Sequence, residues 1–576
     1  MQMIIVIMGV ISIICFIYIS EINTAVKKNE KAMNKIMKEW NTIQVPETDE
    51  NTLRAVWENY NCIIEKNDNE IDEITWNDLE MDGVFRKFNY TKSFIGEISL
   101  YKILRNPIYN IDILKERERI IDVFYTNQEF RNKIQLQLMK IGKYNHLSIW
   151  EYKKFLYGRT VEFYKLWPHR FFPLFLIISV LIIPINTIAG VGLTVLGLSF
   201  TVFTYYRDRA KIEGYIPMVK QLGMMLNSIK GLCETTNIAV IDQYTRKLSK
   251  GVKLTKKYNK YLSKIQTTIG GNTTEADTLI DYIRIITHMD LIAFVKVIAY
   301  IDVNFDLIQE CYEIVGYFDS MLSIALSKRQ HNLKYGNKLF LSSPGLSTTK
   351  QFYLKAIDIY NPLLENPVLN SINMKKSILI TGSNATGKST FLRTIGINAV
   401  LAQTIFLVCA HEYNSSLFKI LTSMNIKDNI FEASSCYMME IKSIKRILDA
   451  RNNNITVLCC LDEVLRGTNT IERIGASSEI LKSIALSNVL CIAATHDIEL
   501  TYILEDYYEN YHFQEKITKE DVIFDFCLYK DRSYTRNAIS LLRLLGYSDE
   551  IVSNAIKKVD SYINTGKWQE TVSKSV

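Results

Sequence analysis

Proline is scarce, nine among 576 residues, which favours long uninterrupted helices. Cysteine forms no framework. Ten are scattered, no C-x-x-C pair occurs, and Cys459-Cys460 sit side by side in an apolar run. The expectation is reduced, mostly buried thiols in a cytosolic setting. No low-complexity tract or internal repeat is visible, and no charged residue occurs between Phe171 and Tyr206. The net charge of +7 is mild for this length and permits contact with nucleic acid or anionic lipid without demonstrating either. Hydrophobic content is 48%, ample for sizeable cores, and the length suits three or four units.

What is present centres on Ile378–Arg393, ILITGSNATGKSTFLR. Four apolar residues run into a Gly-rich turn, and the turn into a helix that opens Lys-Ser-Thr. Gly382-Ser383-Asn384-Ala385-Thr386-Gly387-Lys388-Ser389 satisfies G-x-x-x-x-G-K-[ST]. Backbone N–H groups must converge on one phosphate, and glycines let the chain bend that tightly. The helix N-terminus adds partial positive charge. Lys388 is expected to reach the β/γ-phosphates of ATP, the Ser389 hydroxyl to ligate Mg2+, and Thr390 to close the loop's contacts.

Downstream, TVLCCLDE is an apolar strand ending in Asp462 and Glu463. A parallel strand delivers its last residues to the sheet edge where ligands bind. Asp462 is expected on Mg2+ through water, with Glu463 polarising the attacking water. A further apolar strand, Val489–Ala494, ends in Thr495-His496-Asp497. His496 at that strand end could sense the γ-phosphate. The expected strands are Phe352–Ile359, Ser377–Thr381, Thr456–Leu461 and Val489–Ala494, the last two buried and parallel.

The region before residue 345 reads as helical, with two membrane candidates. Met1–Ser20 is almost wholly apolar, without a basic n-region or small-residue cleavage site, and is expected to be an uncleaved anchor. Trp167–Tyr206 would be about 54 Å long from Phe171 as one helix, too long for a ~30 Å hydrocarbon core. Pro184, Asn186 and Gly190 break it near the middle, so two short spans joined by a tight turn are expected. Lys and Arg on both flanks put those flanks in the cytosol. Three spans then place a multi-pass protein in the cell membrane with its phosphate-loop domain in the cytosol. Arg246–Lys264, RKLSKGVKLTKKYNKYLSK, carries tyrosines among its lysines. It could track a phosphate backbone, lie against lipid headgroups, or simply be a solvated helix face.

The motifs TGSNATGKSTFLR, SSCYMMEIKSIKRIL, LDEVLRGTNTIERIGASSEIL and ATHD, in this order and followed by RNAISLLRLLGYSDEIVSNA, resemble the ATPase domain of the MutS DNA mismatch-repair proteins. The resemblance covers Phe352–Lys558. More weakly, LEMDGVFRKFNYTKSFIGEISLYKILRNPIYNIDILKERERIIDVF resembles the start of the family's helical core and lever region, and EIVGYFDSMLSIALSKRQ its end. It implies that Asn384 lies near the nucleotide, that Ser435 is lent across a dimer to the γ-phosphate, and that Gln403 sits near the attacking water. It also implies homodimers with composite ATP sites and coupling of ATP turnover to DNA clamping. The sequence departs from the family in two ways. Only Met1–Trp76 precedes the core-like stretch, so no mismatch-reading domain is expected, and the usual Gly-Arg-His-Pro appears as Ile359-Tyr360-Asn361-Pro362.

The expected architecture is an α/β P-loop, ABC-like ATPase domain over 345–576. It is preceded by an anchor (1–20), a helical linker (21–75) and a mainly α-helical lever region (76–340) that a transmembrane hairpin (167–206) interrupts. A transporter motor and a membrane-bound ATPase switch without mismatch recognition are the other classes. Against the transporter, no Leu-Ser-Gly-Gly-Gln precedes Asp462, and the spans hold no ionisable residue beyond their flanks to mark a substrate path.

Overall fold

The computed structural model describes residues 20, 23–24, 26–46, 48–61, 69–143, 149, 167–234, 238–265, 275–348, 352–383, 386–424, 436–451, 455–466, 468–517, 522–532, 539, 542, 546–565 and 568. Residues 1–19 of the expected anchor, together with Asn384, Ala385 and Ser435, lie outside this set. The chain forms two compact units. One comprises Met1–Lys66, Phe88–Ile103 and Glu116–Gly336; the other comprises Asn67–Lys87, Leu104–Lys115 and Asn337–Val576.

The first unit is helical. Its main elements are α1 (Phe94–Arg105), α2 (Ile111–Thr126), α3 (Gln128–Ile141), α4 (Trp167–Ile182), α5 (Thr187–Ile212), α6 (Ile216–Cys233), α7 (Ala239–Leu262), α8 (Glu275–Thr287), α9 (Met289–Val303) and α10 (Phe305–Tyr335). The end of α1 and the start of α2 belong to the second unit. Helix α10 is the core element, buried along Ile314–Ser327 almost without interruption. Within it Asp319 is fully buried. It accepts hydrogen bonds from Lys92 N (2.9 Å), Ser93 N (2.8 Å) and Ser93 Oγ (2.6 Å), just before α1 begins. Gly96 allows that approach, since a Cβ there would lie 2.3 Å from Asp319 Oδ2.

Helices α4 and α5 form the expected hairpin. Asn186 caps α5 by accepting from Ala189 N at 3.1 Å, and a Cβ on Gly190 would lie 2.6 Å from Ile183 Cα, so glycine is required where the arms close. The arms are unequal. The apolar helix Thr187–Cys233 runs 47 residues through α5, a 3-10 turn at Glu213–Tyr215 and α6, and it is the one described helix long and apolar enough to cross a membrane. The shorter arm has 16 residues, about 24 Å. Only 22% of the long helix's most apolar window is buried, and at the tip Ile185 and Ile188 are 84% and 89% exposed. At the hairpin's foot Tyr205 OH and Arg209 Nη1 both donate to the buried Asp290 Oδ2 of α9, at 2.9 and 2.8 Å.

The second unit is α/β. Its strands are β1 (Gly345–Ser347), β2 (Leu354–Ile359), β3 (Asn370–Met374), β4 (Ser377–Thr381), β5 (Glu412–Ser416), β6 (Lys419–Ser423), β7 (Val457–Asp462), β8 (Val489–Ala494), β9 (Tyr508–His512), β10 (Glu515–Ile517), β11 (Val522–Phe524) and β12 (Tyr529–Lys530). The main sheet has the order β12-β9-β4-β8-β7-β6, parallel except for β12. All four expected strands are present, with β4 and β8 at the expected bounds and β7 parallel to β8. A second sheet, β1-β5-β2-β3, was not anticipated from the sequence. The helices α11 (Lys388–Thr404), α12 (Cys436–Ala450) and α13 (Thr470–Ala485) follow β4, β6 and β7.

Two early segments, within the stretch read as lever from residue 76 and the linker before it, pack with this unit instead. Asp78 Oδ2 accepts from Thr422 Oγ1 (2.7 Å) and Met424 N (2.9 Å), and Arg446 pairs with Asp72 at 2.5 Å. Such long-range polar contacts leave no periodic trace in a sequence.

Removing the Asp319 carboxylate leaves the Lys92 and Ser93 donors buried without their acceptor. Asp319→Ala should therefore cost about 2–4 kcal/mol, read as a lower urea midpoint of the helical unit, and an unchanged midpoint would contradict this account of α1 and α10.

Candidate active site

Three strand ends meet at one edge of the main sheet. In register, Ile380 of β4 faces Ala494 of β8, and Ala494 faces Asp462 of β7. Backbone bonds extend the alignment past the strands: Thr495 N donates to Ile380 O (3.0 Å), Glu463 N to Ala494 O (3.0 Å) and Phe513 N to Thr381 O (2.9 Å). The phosphate loop, the Asp462-Glu463 pair and His496 therefore share one edge, as their strand-end positions implied.

The loop's glycines are conformationally obligatory. Gly382 has φ +148° and Gly387 φ +107°. A Cβ on Gly382 would lie 2.8 Å from Phe513 O, a backbone atom that cannot swing aside, and one on Gly387 would lie 3.3 Å from the Phe526 ring. Gly387 is the N-cap of α11 and offers no side-chain acceptor, so the first N–H groups of α11 have no side-chain cap. Thr386 is buried and donates from Oγ1 to Ser383 O (2.8 Å), closing the loop on itself, while Ser383 Oγ donates to Glu515 Oε2 (2.8 Å).

Lys388 is buried at the start of α11. Its Nζ donates to Gly382 O (2.7 Å) and Ser383 O (2.8 Å). Burial pulls its pKa down, and the carboxylates of Asp462, Glu463 and Glu515 oppose that fall. Ser389 Oγ donates to Asp462 Oδ2 in a short hydrogen bond. Burial raises the Asp462 carboxyl, and the Ser389 bond pulls the other way. One hydroxyl and one carboxylate are a hard-oxygen set that fits Mg2+, which usually keeps several waters and takes its remaining ligands from phosphate. No cluster of three or more His, Cys, Asp or Glu suited to a metal exists among the described residues, so an all-protein cage is not what these residues build.

Glu463 follows β7 in the left-handed region at φ +53°, and Leu465 also sits there at φ +61°. Strain of this kind at a strand end is held by its surroundings. Glu463 Oε1 lies 2.8 Å from His496 Nε2, and Oε2 lies 3.0 Å from Arg466 Nε. The hydrogen bond from His496 is the main reason the Glu463 carboxyl titrates below its ordinary range. The proton on Nε2 is committed to Glu463. The 3.3 Å approach of Lys388 Nζ to the same nitrogen therefore sets two donors side by side and is not a second bond.

Several contributors were invisible in the sequence. Glu440 of α12 accepts from Leu465 N in a short bond and from Arg466 N at 3.3 Å, holding the strained turn. Arg473 of α13 clamps Asp497 through two bonds of 2.9 and 2.6 Å, fixing the loop that carries His496. Beside the phosphate loop lies a cavity of about 290 Å³, lined by Asn361, Val368, Asn370, Thr390, Phe391 and Phe526 among others. Asn370 closes its far wall, donating to Phe526 O (3.1 Å) and accepting from Leu528 N (2.7 Å). The departure Ile359-Tyr360-Asn361-Pro362 supplies part of this wall.

Gln403 is a correction. It was expected near the attacking water, but it lies at the opposite end of α11 from Lys388 and is 1% exposed. Its Nε2 donates to Phe418 O (2.8 Å) and its Oε1 accepts from Phe418 N (2.6 Å). Both ends of the amide are satisfied by backbone, so Gln403 braces the turn between β5 and β6.

A glycine turn between a central parallel strand and an uncapped helix, with a hydroxyl–carboxylate pair beside it and a second carboxylate just past the end of β7, defines a P-loop nucleoside-triphosphatase domain. Comparison with known proteins narrows the class. Residues 378–562 match MutS domain V. The chain is 30% identical over 273 residues to the DNA mismatch repair protein MutS of Petrotoga mobilis, covering 45% of this chain and 32% of that protein. It is 26% identical over 286 residues to MutS of Clostridium botulinum (48% and 30%) and 29% identical over 253 residues to the yeast mismatch repair protein MSH3 (42% and 24%). Over this region the chain is similar to MutS proteins, and it spans about a third or less of the length of these relatives.

Because the Phe513 carbonyl cannot give way, Gly382→Ala should distort the loop at a cost of about 1–3 kcal/mol. Affinity for a fluorescent ATP analogue should fall by about tenfold or more, and wild-type affinity in that variant would mean the loop is not held as described.

Proposed function

We propose that this chain is a membrane-held, MutS-type ATPase that couples ATP turnover to DNA binding. The observation that carries the catalytic part is Glu463: ionised, fixed between His496 and Arg466, and level with Lys388 and Asp462 at the sheet edge. Gly382, Ser383, Thr386, Gly387, Lys388, Ser389 and Thr390 would hold the triphosphate, with Asn384 and Ala385 completing the loop's sequence. The cavity beside Gly387 would take the base, its Phe526 and Phe391 rings offering faces for stacking. Ser389 and Asp462 would hold Mg2+, which when bound neutralises charge on the phosphates. Glu463 accepts the proton of the attacking water, and His496 reports the state of that carboxylate to the loop anchored by Arg473 and Asp497.

Dimerisation with composite sites and coupling to DNA rest on the family, whose named members here are DNA mismatch repair proteins. Membrane residence rests on the exposed apolar hairpin and on the absence of charge from Phe171 to Tyr206. The flanking Arg170, Arg207 and Lys211 favour a cytosolic foot, which puts the ATPase domain where ATP is.

Glu463→Gln should slow hydrolysis by about 10²–10⁴-fold while ATP binding persists, and the slowed enzyme should accumulate as an ATP-bound dimer by light scattering. Turnover at the wild-type rate would remove Glu463 from the mechanism. Separately, the full chain should stay in the membrane pellet after alkaline carbonate washing, and quantitative release into the supernatant would sink the membrane reading.

A further inference from the structure

The basic stretch Arg246–Lys264 left three readings open, and its placement in the helical unit separates them. Most of it lies on α7, a helix with seven Lys or Arg and a single acid, Asp242. Arg246, Lys250, Lys253, Lys257 and Lys260 recur at spacings of four and three, so they form one stripe down one face, and Lys264 follows just past the helix end. All six are exposed. The opposite side of α7 is the buried one, through Ile241, Thr245, Leu248, Gly251, Leu254 and Tyr258. None of the six makes an ion pair among the described residues. Lys247, which falls off the stripe, is paired with Glu310 at 3.0 Å. Lys256 also lies off the stripe and is exposed, and Lys257 sits 5.0 Å from the centre of the Tyr300 ring, so the aligned cations run without a carboxylate partner among the described residues over about 21 Å of helix axis.

The direction of the stripe argues against lipid. Helix α7 runs antiparallel to α6: Tyr258 OH donates to Val219 O (2.7 Å), Asn259 Nδ2 to Asn227 Oδ1 (2.6 Å), and Cys233 Sγ approaches Thr245 O (3.8 Å). Helix α6 in turn continues the apolar arm α5 along one helix that ends at Cys233. Counting from Tyr206, where charge resumes, the Val219 level lies about 20 Å along that helix and the Cys233 level about 40 Å. The stripe therefore points away from any bilayer that holds the hairpin. An anionic surface potential decays within a Debye length of about 8–10 Å, too short to reach most of these lysines. A straight row of flexible cations standing off a membrane suits an extended, uniformly charged rod.

We propose that the exposed α7 stripe is a binding tract for the phosphate backbone of duplex DNA. This rests on the reading of the chain as a membrane-held, DNA-coupled ATPase, and it assigns the DNA contact to a surface within the helical unit. Contacts of this kind are indifferent to base sequence and strongly salt-dependent.

The test uses the full chain in neutral-lipid nanodiscs, a fluorescein-labelled 30-base-pair duplex, and salt from 50 to 200 mM. The triple variant Lys253→Gln, Lys257→Gln, Lys260→Gln should bind about tenfold or more weakly at 100 mM salt, and its slope of log affinity against log salt should shallow by about 2.5–3. Lys247→Gln should change neither. Unaltered ATP affinity in the triple variant would show that it is folded. If the wild type binds duplex and the triple variant matches it in affinity and slope, the stripe assignment is wrong while the DNA-coupled reading stands. If the wild type binds no duplex at 50 mM salt, both fall. A triple variant that keeps its duplex binding but loses a wild-type ATPase response to phosphatidylglycerol discs would assign the stripe to lipid and overturn the proposal.

Discussion

The constraint on which the site depends is that β4, β8 and β7 end level. A parallel sheet places every strand's C-terminus at the same edge, but it does not require neighbouring strands to stop at the same height. Here the alignment is enforced beyond the ladders by Thr495 N on Ile380 O, Glu463 N on Ala494 O and Phe513 N on Thr381 O. Each of these residues continues directly into a functional loop. A slip of one residue in β7 would turn Asp462 to the other face of the sheet and break its contact with Ser389. The core beneath, including Leu379, Cys459, Leu461, Cys491 and Ala493, is apolar and closely filled, so the register is specified by packing and the polar edge inherits its geometry from it. The buried thiols of Cys459 and Cys491 fit this role, as small hydrophobes.

Above that edge, rigidity comes from residues outside the phosphate-loop motif. Glu440 holds the left-handed turn at Glu463 and Leu465, Arg473 and Asp497 hold the loop of His496, and Glu515 holds Ser383. The Glu463 carboxylate is thus supported from α12, and the loop of His496 from α13. A shift of either helix would change the Glu463–His496 contact before it changed the phosphate loop. That is an economical way for a nucleotide site to register motion in the elements around it.

The helical unit follows a different logic. Its long helix begins apolar and exposed in α5, crosses a polar foot where Tyr205 and Arg209 share Asp290, and continues as the ordinary buried helix α6. Gly190 and Asn186 set the turn of the hairpin, and Asp319 ties α10 to the start of α1. The unit therefore combines an exposed apolar face, a buried core and an exposed basic stripe.

What the sequence determined by itself is local. The phosphate loop, the carboxylates after TVLCCL, His496 after its strand, the break at Pro184–Gly190 and the four strands that frame the site are all written in short windows, because glycine geometry, apolar runs and strand ends need only neighbouring residues. The tertiary structure decided everything that joins distant segments. Gln403 resembled a site residue until its amide was found closed on Phe418, seventeen residues from the loop's Thr386 and at the wrong end of its helix. Glu440, Arg473 and the Asn370–Phe526 wall act across gaps of 26, 24 and 156 residues, and no periodicity records such pairings. The lysines of α7 were legible as a charge run, but which helix that run packed against, and in which direction it ran along the apolar arm, only the tertiary structure decided.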